Sequence, residues 1–207
     1  MSRLKDRSRF PLNRPVYEPG AVPIESRAGI SFLEFSLEGL ERYHASLGRY
    51  SYPGEYPIFS TQLPDSPAAR SVGMPALPPL SIAIKDDLLA FYLAVLPDLC
   101  PPGQDPDTYG ETVYVDADLL ELLHERINVG RYVAQAKLEG DPSLTAVSGA
   151  ELSDKLTDPE REAALLRSAR AAAGRYQADP ALVESVFGWI MRETVVVEVA
   201  YLRQLSS

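Results

Sequence analysis

The stretch ETVYVDADLLELLHERINVGRYVAQAKL, residues 111 to 138, decides the fold. Leu119, Leu123, Arg126, Gly130, Val133 and Lys137 follow one another at alternating steps of four and three, the spacing that lines up one face of an α-helix. With no proline to interrupt it, the pattern predicts one helix of more than seven turns. Two of those six positions are cations. Arg126 and Lys137 lie eleven residues apart, which is about 16 Å along the axis with about 20° of drift. Both are therefore expected to point into the interior that the apolar positions bury. A single such cation is most simply explained by snorkelling or by a buried carboxylate partner; two on one stripe need a further reason.

Working outward, Asp158-Pro159 is a strong helix start, with Asp as N-cap and Pro at the first helical position, and the helix is read on through EREAALLRSARAAAGRY. Pro180 opens the last helix, with Val183, Phe187, Ile190, Thr194, Val197 and Tyr201 on one stripe. Within it TVVVEV, residues 194 to 199, has the β-branched density of a strand. No other segment supplies a pairing partner, so a helix is expected. A short segment at 150 to 156 precedes Asp158. Upstream, Ile30 to Tyr50 reads as a helix with Leu33, Leu37, Leu40 and Tyr43 inside and Ser31 as its cap, and Ile82 to Leu96 reads as a second one ended by Pro97. Seven prolines between residues 51 and 80 predict a long connection, residues 101 to 110 a loop, and four prolines in residues 1 to 29 an extended, surface-hugging arm opening with a helical turn or two. The basic side chains Arg3, Lys5, Arg7 and Arg9 read as a solvated terminus. The fold class is all-α, a helical bundle in a single domain over 1–207, with N-terminal helices and proline-rich loops to residue 110 and the functional helices from 111 onward.

With 207 residues and 45% apolar content, the chain can bury one generous core. A net charge of −9 excludes a non-specific nucleic-acid surface. Cys100 is the single cysteine and His44 and His124 the two histidines, which leaves no internal disulfide and no metal set. No apolar run reaches the length of a membrane span, and the N-terminus lacks a signal-peptide core, so a cytosolic protein is expected. There is no P-loop, no GxGxxG and no nucleophile-base motif, so neither a cofactor nor a covalent intermediate is predicted.

Two further pairs join the two cations. Asp158 and Glu162 are spaced i, i+4 at the start of one helix, and Thr194 and Glu198 are spaced i, i+4 on the last. Each pair alone is ordinary. Together, polar groups from three helices outline a small anion pocket inside a bundle.

LLHERINVGRYVAQAK (122 to 137) resembles the signature helix of the AroQ-type chorismate mutases, and DPEREAALL (158 to 166) resembles the acidic start of their next helix. The closing TVVVEVAYLRQL (194 to 205), with FPLNRPVYEP (10 to 19) and SFLEFSLEGLERYHASLGRYSYPGEYPIF (31 to 59), extends the likeness over nearly the whole chain and to the plant and fungal branch. The resemblance implies an all-helical homodimer with a complete site in each subunit, rearranging the dianion chorismate to prephenate. It implies that Arg126 forks a substrate carboxylate and that Lys137 reaches the ether oxygen and a carboxylate. It implies that Asp158 and Glu162 hold the ring hydroxyl, that Thr194 lies near a carboxylate, and that Glu198 meets the ether oxygen from the other side. An additional substrate arginine of the fungal enzymes would align upstream of Met1. Their effector site for aromatic amino acids is eroded here, with Gly48 and Arg49 in place of an arginine pair and Glu111 and Tyr114 in place of a serine and a threonine.

The chemistry suits such a site. A one-substrate pericyclic shift needs a compressed conformer and stabilised charge on the breaking C–O bond, not a nucleophile. Glu198 helps only as the neutral acid, which has a proton to donate, and burial among Val195, Val196, Val197 and Val199 is expected to favour that form. A sibling substrate such as aminodeoxychorismate or isochorismate, and a non-catalytic helical partner of a related enzyme, are the alternatives.

Overall fold

The computed structural model describes residues 1–25, 27–52, 55–60, 62–67, 77 and 84–206, and every regular element among them is helical. The chain forms two compact units, one of Met1–Gly73 with Lys85–Leu122, the other of Met74–Ile84 with Leu123–Ser207.

The first unit holds α1 (Ser2–Arg7), α2 (Phe32–Ser46), α3 (Lys85–Leu99) and most of α4 (Tyr109–Asn128). Ser31 caps α2 as the sequence suggests, in a reciprocal capping box: its hydroxyl accepts from the Glu34 amide at 3.1 Å while the Glu34 carboxylate accepts from the Ser31 amide at 2.9 Å. The helix ends at Ser46 rather than Tyr50, because Gly48 turns left-handed at φ 70°. Its buried line is Leu33, Leu37, Glu41 and Ala45, and Tyr43, expected inside, is 61% exposed. Glu41 belongs inside because the main-chain amides of Ile58, Phe59 and Ser60 all donate to its carboxylate, tying the proline-rich connection to α2. The expected start of the next helix at Ile82 lies outside the described residues. That helix does not stop before Pro97 but runs to Leu99, where the Cys100 amide closes it on the Leu96 carbonyl at 2.9 Å; so near the C-terminal end, proline costs little beyond its own missing donor.

The basic terminus is not solvated throughout. Lys5 and Arg9 are exposed, but Arg7 is fully buried and spends its guanidinium on the first unit. It donates to the carbonyls of Phe10, Pro11 and Leu12, to the Tyr17 hydroxyl and, through Nε, to Asp116 of α4. The Tyr17 and Tyr92 hydroxyls also donate to Asp116. Burial, then the Asp116 charge, push both phenols upward and keep them protonated donors. A fully hydrogen-bonded buried ion pair thus pins the N-terminal arm to α4.

The second unit continues from the end of α4 into α5 (Gly130–Gly140), α6 (Gly149–Leu156), α7 (Pro159–Ala173) and α8 (Pro180–Leu205). The long helix read from the sequence is two helices, interrupted for one residue at Val129. Val129 itself keeps right-handed helical dihedrals (φ −58°, ψ −21°), so the facing of side chains carries across the break. Helix α8 packs against α5, α6 and α7, and TVVVEV is helical inside it. Tertiary packing outweighs β-branching there: Val197 and Tyr201 are buried, and Tyr201 joins a core with Ala134, Leu144, Leu152, Leu156 and Leu202. Asp158 caps α7, accepting from the Arg161 amide at 3.0 Å with Pro159 in the first turn, and Asp179 caps α8 in the same manner.

Candidate active site

A cavity of about 720 Å³ opens in the second unit, and all six residues singled out from the sequence line it: Arg126, Lys137, Asp158, Glu162, Thr194 and Glu198. The end of α4, α5, the start of α7 and the middle of α8 each deliver part of it.

At its centre is one contact. The Lys137 ammonium on α5 donates to Glu198 Oε2 on α8 at 2.7 Å and to the Leu156 carbonyl, the last of α6, at 2.6 Å. Two of three ammonium protons are thereby fixed, and the third remains for a guest. Glu198 is 3% exposed. Burial raises its pKa above the ordinary carboxylate value, and the hydrogen bond and charge of Lys137 offset that only in part. The burial differs in detail from the expectation, because Val196 is 45% exposed and contributes no shelter. With Oε2 held by Lys137, a proton on Glu198 belongs on Oε1.

The expectation that Arg126 is buried in the core is corrected: it lines the cavity but is exposed. Periodicity sets the direction of a side chain, not its depth. At the end of α4 that direction leads to the open mouth, where a guanidinium keeps its hydration. Lys137, by contrast, is 33% exposed. Asp158 is also at the exposed rim, one oxygen committed to its capping bond, and Glu162 is half-buried. The Thr194 hydroxyl donates to the Ile190 carbonyl of its own helix at 2.7 Å, so toward the cavity it presents lone pairs rather than a proton.

Three further charged residues line the cavity beside the six read from the sequence: Asp141, Lys155 and Arg161. Arg161 lies close enough to Glu198 for its charge to favour the carboxylate. Its signal was available, since Asp158, Arg161 and Glu162 fall at i, i+3 and i+4 and share a helix face. The lining holds four cations, Arg126, Lys137, Lys155 and Arg161, against four carboxylates, Asp141, Asp158, Glu162 and Glu198. One proton on Glu198 therefore turns a formally neutral lining positive, which suits a dianion. Among the described residues no three His, Cys, Asp or Glu side chains are placed to hold a metal ion.

Residues 109–199 match the family model described as chorismate mutase type II. The chorismate mutase of Schizosaccharomyces pombe is 31% identical over 219 residues, covering 95% of this chain and 86% of that one. The crystal structure of the chloroplast chorismate mutase from Zea mays superposes with a TM-score of 0.82 at 28% identity, over all of this chain and 89% of its own. The Candida albicans chorismate mutase, crystallised with L-Trp, shares the fold at a TM-score of 0.89 and 24% identity, over 99% of this chain and 86% of that one. With a cavity lined by cations and carboxylates on five helices, and likeness at this level over almost its full length, the chain belongs to the chorismate mutases of the plant and fungal type.

Proposed function

We propose that this protein is an isomerase that converts chorismate to prephenate in the cavity around Lys137 and Glu198. The observation that carries the reading is that contact itself, a cation and a buried carboxyl meeting at 2.7 Å on facing helices. In the reaction a C–C bond forms between the enolpyruvyl methylene and the ring while the ether C–O bond breaks, and no atom leaves or enters. The protein's part is to fold the substrate and to stabilise charge on the ether oxygen. Lys137 gives that oxygen a point charge; neutral Glu198 gives it a hydrogen bond from Oε1. Arg126 takes one carboxylate at the cavity mouth through two parallel N–H groups. Arg161, a lining residue whose charge is felt at Glu198, takes the other. Asp158 and Glu162 hold the ring hydroxyl, which has one proton to donate between them, and Thr194 lies beside the substrate.

In this reading the working form is a cytosolic homodimer. The six residues given roles here all belong to one chain, as a whole site in each copy requires. Tyr43, Leu47, Tyr114 and Leu122 are large apolar side chains exposed on α2 and α4, surface that a second copy would cover. Among the described residues no helix is long and apolar enough to cross a membrane.

Incubating the purified protein with chorismate and following the loss of its ultraviolet absorbance tests the activity. The expected result is first-order conversion to prephenate without added metal or cofactor. Arg126→Ala is expected to raise KM by about 100-fold, the cost of a lost charge-assisted bidentate contact. Chorismate left unchanged by the wild-type protein would overturn the proposal.

A further inference from the structure

Gly130 begins α5 where that helix crosses α8. A Cβ built there would lie 2.9 Å from the Thr194 carbonyl oxygen, 3.1 Å from Thr194 Cγ2 and 3.3 Å from Val197 Cγ1. The nearest obstacle is main chain, which cannot rotate aside. Gly140, at the other end of the same helix, has nothing within 4 Å of its own built Cβ. Close approach is therefore required at one end of α5 only. Gly130 faces Thr194 and Gln135 accepts from the Tyr201 hydroxyl at 2.8 Å, so the two helices run in the same direction, with Lys137 and Glu198 on the same seam.

We propose that Gly130 is a positioning residue: by letting α5 lie directly against α8, it sets the distance between Lys137 and Glu198. The inference rests on the proposed function for its consequence, not for its geometry. Lys137 is also held from the opposite side by the Leu156 carbonyl. A wedge at residue 130 parts α5 from α8, so Lys137, carried on α5, is drawn back from Glu198 on α8 and from the Leu156 carbonyl of α6, which packs on α8. The charged groups that face Glu198 are Lys137 from α5 and Arg161 and Glu162 from α7. From α6 the neighbouring cation of the same cavity is Lys155. Of these, Lys137 is the one that hydrogen-bonds to Glu198, so its retreat leaves the carboxyl with more of its burial uncompensated.

The test is the titration of Glu198 followed by carbon-13 NMR of glutamate-labelled protein without substrate, the resonance assigned through Glu198→Gln. In Gly130→Ala the midpoint is expected to rise by about one pH unit, as for an acid that loses most of one close cationic partner. The alkaline limb of the rate profile moves up with it, and kcat falls by about 10-fold while the helical circular dichroism persists. Gly140→Ala leaves the midpoint and the rate at wild-type values. Val197→Ile, a milder wedge at the same crossing, moves the midpoint in the same direction and decides the matter should Gly130→Ala not fold. Wild-type midpoints in the folded variants would overturn the inference. A wild-type protein inert toward chorismate would instead sink the proposed function, and the substrate-free titration would still report on the spacing.

Discussion

Lys137→Ala is expected to lower kcat/KM for chorismate by about 10³-fold or more, with most of the loss in kcat. One hydrogen-bond donor aimed at a developing anion contributes about 10²–10³-fold, and Lys137 brings a full charge into a site where it is largely withdrawn from water. The same change removes the partner of a 3% exposed carboxyl. Glu198 escapes an isolated buried charge by holding its proton to higher pH, so the variant is expected to fold. Its residual rate should decline only at a more alkaline pH than the wild type's. Lys137→Arg rescues little, since a planar fork does not fit between the Leu156 carbonyl and Glu198 as a compact ammonium does. Steady-state kinetics in the two variants checks this, and a Lys137→Ala enzyme within about 10-fold of wild type would contradict the assigned role.

The largest effect on stability is expected in the first unit. Asp116→Ala leaves the Arg7 guanidinium, fully buried and otherwise bonded only to carbonyls and a hydroxyl, without a counter-ion, and strips the acceptor from Tyr17 and Tyr92. Removing one partner of a buried ion pair costs about 3–5 kcal/mol, a drop in Tm on the order of 10 °C for a chain of this size. The double replacement Arg7→Met with Asp116→Leu is expected to recover a large part of that loss, because it removes both charges and keeps the volume. Thermal melts of the three proteins report the outcome. A single variant melting within about 1 °C of wild type would show that the network does not hold the arm to α4.

What the sequence revealed about the second unit follows from local spacing. Alternating steps of three and four placed Arg126 and Lys137 on one helix face, and i, i+4 pairs placed Asp158 with Glu162 and Thr194 with Glu198. All six resulting positions line one cavity. Depth was not legible in the same way. Arg126 and Lys137 share a stripe, yet one is exposed and the other half-buried, its ammonium fixed by the Leu156 carbonyl of α6 and by Glu198 of α8. Arg161 was overlooked because an arginine in the first turn of a charged helix looks like any solvated one.

Long-range pairing was the harder matter. Arg7 finds Asp116 across 109 residues, and Glu41 gathers amides 17 to 19 residues away. Nothing near either residue in the chain announces its partner, so Arg7 reads as part of a solvated terminus and Glu41 carries no signal of its own. The break at Val129 was hidden for a related reason. Its dihedrals are helical and its neighbours fit the periodicity, and the departure from one straight helix coincides with the crossing of Gly130 and α8, a tertiary event.

Catalysis here turns on Glu198 acting as a neutral acid beside Lys137, and the pH dependence of kcat in the wild type and in Glu198→Gln tests that most directly. Burial holds the Glu198 pKa above the ordinary carboxylate value, so the active, protonated form predominates at low pH and is lost as pH rises through the raised value. The wild-type rate should therefore fall over that window with the slope of a single proton, while the amide of Glu198→Gln, which always has a hydrogen to donate, gives a rate that stays level across it. Superimposable pH profiles for the two proteins would contradict the account.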